Sequence, residues 1–171
     1  LSTDDCSGFC NAGKICPEGG TNADGAGEVC KKGFYCTAAK CGAALPCGGV
    51  EYYCPAGSGK PTDVTKGYFS LPEDTTKEST REAQQECDAG FFCAGGRRQP
   101  CGSAAYFSPK GAEKCTLVSP AHYSTGNTMD IIRTGQAACP AGTYCVDGIK
   151  YDTPKGKYTT KGVNALSRVW D

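Results

Sequence analysis

The residues of this 171-residue chain that could carry chemistry are fourteen cysteines and one histidine. Thiols can form disulfides, bind zinc or act as nucleophiles, and their spacing helps to separate these uses. The spacing Cys-x-x-Cys, which marks zinc sites and redox dithiols, occurs nowhere in the chain. Because the count is even and amounts to about 8% of the residues, we expect all fourteen to form disulfides, without metal or cofactor.

Enzymatic chemistry is not predicted from the remaining residues. His122 is the only histidine, so the chain lacks the usual general base and most metal sites. No free thiol is expected to serve as its nucleophile, and no serine motif accompanies it. We therefore interpret His122 as a loop residue that precedes a packing tyrosine, and we expect a protein without catalytic activity.

The cysteines are organised by a seven-residue motif, Cys-x-x-Gly-x-x-Cys, in which an apolar residue precedes the closing cysteine. A glycine at the fourth place can supply the positive φ that brings the two ends of such a short loop together. Four copies occur in the chain: Cys10 to Cys16, Cys30 to Cys36, Cys87 to Cys93, and Cys139 to Cys145. These four copies indicate a repeat protein.

Similarity between the copies extends beyond the motif and divides the chain into modules. The segment from Cys101 to Tyr106 repeats the segment from Cys47 to Tyr52. The last three copies of the motif, at Cys30, Cys87 and Cys139, start 57 and 52 residues apart. Such periods indicate a tandem array in which each unit contacts mainly its neighbours. The predicted boundaries are a partial module at 1–29, full modules at 30–86 and 87–138, and a truncated module with a tail at 139–171.

Comparison of the modules also favours particular disulfide pairs. The last module has Thr153 in place of Cys101 and no counterpart of Cys115. Since these two cysteines are missing together, the simplest interpretation is that they bond each other. The same reasoning pairs Cys47 with Cys54.

If each seven-residue motif also closes on itself, two cysteines remain. We predict that Cys6 and Cys41 bond each other and join the N-terminal segment to the first full module. An interlaced scheme, in which motif cysteines bond across modules, is the alternative that the sequence leaves open.

Apolar residues are too few for a large core. Leu, Ile, Val and Phe together make up about 13% of the chain, below the share expected of an ordinary globular domain. We expect aromatic side chains beside the bridges to fill small interiors. The predicted fold class is therefore small and disulfide-rich, an elongated tandem array of cysteine-rich modules with short β-hairpins and little helix.

Short strands are predicted where aromatic and threonine-rich stretches lie between glycines and prolines. One helix is a further possibility, since Ser70 and Glu73 have the spacing of a capping box ahead of a polar stretch. A solvated linker between modules is the alternative there. The predicted strands surround Tyr52-Tyr53, Tyr68-Phe69, Tyr106-Phe107, Tyr123 and Tyr158.

Three segments resemble the cysteine-rich modules of the ephrin-receptor-like type, which are similar in style to tumour-necrosis-factor-receptor and growth-factor-receptor repeats. They are Cys87-Asp-Ala-Gly-Phe-Phe-Cys93, Cys139-Pro-Ala-Gly-Thr-Tyr-Cys145 and Pro120-Ala-His-Tyr-Ser-Thr-Gly126. The resemblance spans roughly Cys30 to Gly162 and implies an elongated extracellular scaffold. It does not imply a ligand. Cys41 is additional to the family pattern, so that pattern does not fix the bridges of the first module.

Charge and hydropathy exclude several kinds of partner. Eighteen basic and eighteen acidic residues give no net field for nucleic acid or an anionic membrane, and no apolar run is long enough for membrane insertion. No Asn-x-Ser/Thr acceptor occurs, whereas threonine-rich stretches are candidates for O-linked glycans. Leu1 rather than Met opens the chain, which predicts a processed or excised product.

The C-terminal segment outside the cysteine pattern is the predicted assembly contact. It carries Val163, Leu166, Val169 and the sole tryptophan, Trp170. Tryptophan is enriched at the positions that dominate interface energies, so we predict that this segment docks on a neighbouring copy. The alternative is that it folds back over the truncated module.

These observations predict a non-enzymatic extracellular structural protein, secreted or at the cell surface, whose main partners are other copies of itself. It would form a subunit or segment of a filament, hair, sheath or surface coat. The alternative is a receptor or adhesion ectodomain that binds an extracellular protein ligand along its side.

Overall fold

The computed structural model describes residues 10–16, 27–38, 43–156 and 159. This part of the chain forms sixteen short strands and one 3-10 turn, and the strands pair into eight antiparallel two-stranded sheets. The strands are β1 (Lys14–Ile15), β2 (Glu28–Val29), β3 (Phe34–Tyr35), β4 (Leu45–Pro46), β5 (Tyr52–Tyr53), β6 (Thr62–Asp63), β7 (Tyr68–Leu71), β8 (Ala83–Glu86), β9 (Phe91–Ala94), β10 (Arg97–Pro100), β11 (Tyr106–Phe107), β12 (Thr116–Leu117), β13 (His122–Thr125), β14 (Gly135–Ala138), β15 (Thr143–Val146) and β16 (Ile149–Asp152). Each odd-numbered strand pairs with the strand that follows it along the chain.

This architecture confirms the predicted fold class, a disulfide-rich array of short β-hairpins with little helix. Strands lie at four of the five predicted aromatic places, in β5, β7, β11 and β13. The fifth place, at Tyr158, lies outside the described residues.

Two of the hairpins have turns of only two residues. Asp147 and Gly148, which join β15 to β16, have φ values of 50° and 75°. Gly95 and Gly96, which join β9 to β10, have φ values of 55° and 73°. Positive φ at both central residues is the geometry of a type I′ turn, whose twist matches that of the flanking strands, and Asp-Gly and Gly-Gly are its preferred sequences.

The predicted helix is reduced to a single 3-10 turn, Thr75–Lys77. Asp74 caps it, because its carboxylate accepts hydrogen bonds from the Thr76 amide at 2.8 Å and from the Thr76 hydroxyl at 2.7 Å. These bonds lower the pKa of Asp74. The capping box does not form because Ser70 lies in β7, where its hydroxyl donates to the carbonyl oxygen of Val50 at 2.6 Å.

Half-cystines make up most of the buried interior. Nine of the thirteen buried apolar residues are cysteines, and Phe69, with 2% of its surface exposed, is the largest side chain that is fully buried in the described part of the chain. The prediction that aromatic rings fill the interior holds for Phe69, whereas Tyr106 and Tyr151 are exposed. Sulfur therefore occupies the place of an aliphatic core.

The chain divides into two compact units. Unit 1 comprises Leu1–Gln85 with Gly95–Arg97, and unit 2 comprises Glu86–Ala94 with Arg98–Asp171. The tip of the β9–β10 hairpin therefore belongs to unit 1. The module boundaries remain a prediction from the repeat. Within the described residues, no helix is long and apolar enough to span a membrane.

Candidate functional site

Six disulfides join the cysteines in the pairs that the local scheme predicts. Their Cα atoms lie 5.7 to 5.9 Å apart, within the ordinary range for a disulfide. The pairs are Cys10–Cys16, Cys30–Cys36, Cys47–Cys54, Cys87–Cys93, Cys101–Cys115 and Cys139–Cys145. Cys6 and Cys41 lie outside the described residues, so the bond between them remains a prediction.

The glycine in the middle of each motif has the positive φ expected of it. Its φ value lies between 79° and 91° in all four copies, Gly13, Gly33, Gly90 and Gly142. Its amide also makes a repeated contact, since Gly33 donates to the carbonyl oxygen of Cys54 at 2.8 Å and Gly90 to that of Ser108 at 2.7 Å. A side chain at Gly90 would overlap Ile132. In three of the four copies, with Gly142 as the exception, the glycine thus allows both the tight loop and a close neighbour.

These amide bonds reveal a position that the sequence comparison did not identify. Cys54, Ser108 and Thr159 each accept a hydrogen bond from a motif glycine through the backbone, and each is buried. Where the cysteine is replaced, a hydroxyl donates to a backbone carbonyl, from Ser108 to Phe91 at 2.7 Å and from Thr159 to Thr143 at 2.9 Å. A buried hydroxyl therefore takes the place of the half-cystine.

In the truncated module, a hydrogen bond takes the place of a whole bridge. Thr153 corresponds to Cys47, and Thr159 corresponds to Cys54. Their hydroxyl oxygens lie 3.1 Å apart, where the first full module has the Cys47–Cys54 disulfide. The sequence comparison did not identify Thr159 as the counterpart of Cys54, because Thr153 and Thr159 are six residues apart whereas Cys47 and Cys54 are seven apart.

A second repeated contact joins successive modules, and we call it the joint. In unit 1, the amide of Ser70 donates to the carbonyl oxygen of Gly96 at 2.9 Å, and the hydroxyl of Ser70 contacts the same oxygen. A Cβ atom on Gly96 would overlap the carbonyl oxygen of Val50. The tip of the β9–β10 hairpin, which falls in the second predicted module, thus packs against residues of the first predicted module.

The same joint recurs in unit 2. The amide of Ser124 donates to the carbonyl oxygen of Gly148 at 2.8 Å, and its hydroxyl donates to that oxygen at 3.1 Å. A Cβ atom on Gly148 would overlap the carbonyl oxygen of Ala104. Both serines are almost fully buried. The joint therefore requires glycine at the hairpin tip and a small hydroxyl side chain in the strand before it.

A glutamine supports each joint from the adjoining strand. The side chain of Gln84 accepts from the amide of Thr65 at 2.7 Å and donates to its hydroxyl at 3.0 Å. Gln136 makes the same two contacts with Ser119, at 2.7 and 3.0 Å. This pair of bonds ties β8 and β14 to the loops that precede β7 and β13.

An arginine occurs at the same position of both full modules, buried in the first (Arg81) and half-buried in the second (Arg133), with different partners. Arg133 donates through its guanidinium to the carbonyl of Asn127 and to the carboxylate of Asp130. Arg81 is only 3% exposed, and its Nε and Nη1 atoms have no hydrogen-bond partner among the described residues. Burial lowers the pKa of Arg81, while the nearby carboxylate of Glu78 raises it.

A groove lies beside the joint of unit 2. Its volume is about 260 Å³, and its wall includes Leu117, Val118, Pro120, His122, Val146 and Asp147. Leu117 is 62% exposed and Val146 37% exposed. Their cross-strand partners, Tyr106 and Ile149, are also exposed, so a patch of apolar side chains borders the groove. We call this site the β12–β15 groove.

The only histidine lies in the wall of this groove. His122 is the first residue of β13 and not the loop residue that the sequence predicts. Its Nδ1 atom is 2.9 Å from the carbonyl oxygen of Pro120 in the preceding loop. Among the described residues, no group of three or more His, Cys, Asp or Glu side chains could hold a metal ion. The predicted assembly residues Val163, Leu166, Val169 and Trp170 lie outside the described part of the chain, so their role remains a prediction.

Compared with models of known protein families and with curated protein sequences, the chain matches none. The resemblance to ephrin-receptor-like modules therefore remains a prediction from the motifs.

Proposed function

We propose that the chain is a non-enzymatic structural protein that works outside the cell as a subunit or segment of a filament, hair, sheath or surface coat. The observation that carries this proposal is the joint, which occurs twice with the same atoms, at Ser70–Gly96 and Ser124–Gly148. Contacts that repeat from module to module let a chain extend without a central core.

The six disulfides fit such a role. They indicate an oxidising, extracellular environment. Each bridge closes a loop of only six to fourteen residues, so every module is cross-linked locally and resists opening and proteolysis. A protein exposed to mechanical load and to proteases outside the cell would benefit from bridges distributed in this way.

The second candidate is a receptor or adhesion ectodomain, which the β12–β15 groove favours. The groove offers apolar side chains together with the polar groups of His122 and Asp147, a combination that suits a segment of another protein. The two candidates differ in the identity of the partner, because assembly requires another copy of the chain whereas a receptor requires a different protein.

Electron microscopy and sedimentation of the disulfide-bonded protein would test the proposal. We expect polymers whose amount rises with protein concentration and which survive moderate salt. A protein that stays monomeric at every concentration, and that retains one extracellular protein in stoichiometric amount, would contradict the structural function and support the ectodomain.

A further inference from the structure

The β12–β15 groove is a specialised feature of unit 2 and not a by-product of the repeat. The corresponding positions of the first module hold Glu51 for Ala105, Asp63 for Leu117 and Ala94 for Val146. The backbone of the joint is the same in both places, yet only unit 2 combines it with exposed aliphatic side chains. Exposed apolar patches bordered by polar groups mark interaction sites on soluble proteins.

The size of the groove restricts its occupant. A volume of about 260 Å³ is smaller than the roughly 300 to 1,000 Å³ of sites for drug-sized molecules. It suits one large anchoring side chain of a peptide segment, with a carboxylate from Asp147 at the rim for a basic neighbour of that anchor. An aromatic residue next to an arginine or lysine would meet both requirements.

The C-terminal segment of the chain has this composition. Trp170 is the sole tryptophan, and Arg168 lies two positions before it. Thr159, the last described residue, donates to the carbonyl of Thr143 on β15, the strand that also carries Val146. The eleven residues from 160 to 170 can span at most roughly 36 Å when fully extended.

We propose that the β12–β15 groove binds the 163–170 segment of a second copy of this chain, with Trp170 as the anchor and Arg168 facing Asp147. The choice of a second copy, in preference to the segment of the same chain, rests on the proposed structural function. When each copy donates its terminal segment to the groove of the next copy, the contact is head-to-tail and repeats from copy to copy.

Binding can be measured with the segment itself as the probe. The full chain carrying Trp170→Ala contains no tryptophan, so the fluorescence of a synthetic peptide of residues 160–171 reports only on the peptide. We expect a saturable blue shift as this chain is added. When Leu117→Asp is introduced into the same Trp170→Ala chain, the affinity for the peptide should fall at least about thirtyfold, because a dominant interface contact is lost.

Leu117→Asp copies the residue that the first module has at this position, so the strand pair should tolerate it. Leu45→Asp, at another exposed leucine, in unit 1, is the matched control and should leave peptide binding unchanged. A peptide that shows no saturable shift, or that binds Leu117→Asp as tightly as the control, would overturn the proposal.

Sedimentation of the intact chain over a range of concentrations separates the remaining outcomes. We expect self-association that Leu117→Asp and Trp170→Ala weaken alike. Polymers that persist in both variants would overturn this inference and leave the structural function standing. A chain that is monomeric at every concentration, with a blue-shifted tryptophan, would show the segment in its own groove and would contradict both proposals.

Discussion

The first and second full modules have the same backbone joint but different side chains around it. The first closes the Cys47–Cys54 bridge, whereas the second has Cys101 bonded to Cys115 and a buried hydroxyl, Ser108, at the place of Cys54. The backbone hydrogen bonds of serine to hairpin glycine are nevertheless equal to within 0.1 Å, at 2.9 and 2.8 Å. The contact at the hairpin-tip glycine is therefore the feature that both modules share, whereas the disulfides and the groove differ between them.

The largest effect should come from the joint itself. Gly96→Ala adds a Cβ atom that overlaps the carbonyl of Val50, at a residue with φ of 73°. The left-handed conformation costs about 1 to 2 kcal/mol, and displacement of the neighbouring backbone adds about 1 to 3 kcal/mol. We expect the free energy of unfolding to fall by about 3 kcal/mol, measured by denaturant unfolding under oxidising conditions.

Gly95→Ala is the matched control, because Gly95 also has positive φ but no atom lies within 4 Å of its Cβ position. It should cost only about 0.5 to 1 kcal/mol, because the cost of the left-handed conformation is partly offset by the lower chain entropy of alanine. Equal losses for the two variants would show that the contact with Val50 contributes nothing to the joint.

The next effect concerns the exchange of a bridge for a hydrogen bond. Replacing both Cys47→Ala and Cys54→Ala should destabilise the chain by about 2.5 kcal/mol, the loop entropy of a bridge with a separation of seven residues. Cys47→Thr with Cys54→Thr reproduces the Thr153–Thr159 pair and should recover about 1 kcal/mol through its hydroxyl contact.

Thermal and denaturant unfolding of the two double variants would give this difference directly. Threonine that proves no better than alanine would mean that the hydroxyl pair is not a substitute for the bridge.

The free energy of unfolding should change in opposite directions when Arg81 and Arg133 are replaced. Arg81→Met removes a guanidinium with two unpartnered buried nitrogens, and should raise the free energy of unfolding by about 1 kcal/mol. Arg133→Met removes bonds to Asn127 and Asp130, and should lower it by about 1 kcal/mol. Chemical denaturation of both variants checks the signs, and a loss of stability for Arg81→Met would reveal a partner for its guanidinium.

The smallest effect concerns a turn residue. Ala121 has φ of 62° at the position where the first module has Gly67, with φ of 76°. Ala121→Gly relieves a conformation that costs about 1 to 2 kcal/mol, but glycine loses about 0.5 to 1 kcal/mol more in chain entropy. We expect a net gain of about 0.5 kcal/mol by differential scanning calorimetry, and a loss of similar size for Gly67→Ala. A gain in both variants would contradict this account.

Much of the covalent structure could be predicted, since cysteines that are absent together in one module mark a pair, as Cys101 and Cys115 do. Paired aromatic residues such as Tyr52 and Tyr53 likewise marked strands. The joint could not be predicted, because Ser70 and Gly96 are 26 residues apart and no local pattern indicates that they meet. Of the two alternatives for the polar stretch after Ser70, the helix does not form, because Ser70 donates its hydroxyl hydrogen bond to the distant Val50 and not to a local capping partner. The groove arises from Leu117 and Val146, which only the folded chain brings together.

The direction of the joint has a consequence for how such a chain can change in length. The hairpin tip always comes from the later module and the receiving serine from the earlier one, at Ser70–Gly96 and again at Ser124–Gly148. Deleting or duplicating one complete period would bring an equivalent tip to an equivalent serine, so the contact would be restored. Recombination between repeats could therefore shorten or lengthen the protein by one complete period at a time, and each remaining serine would still have a hairpin-tip glycine to contact.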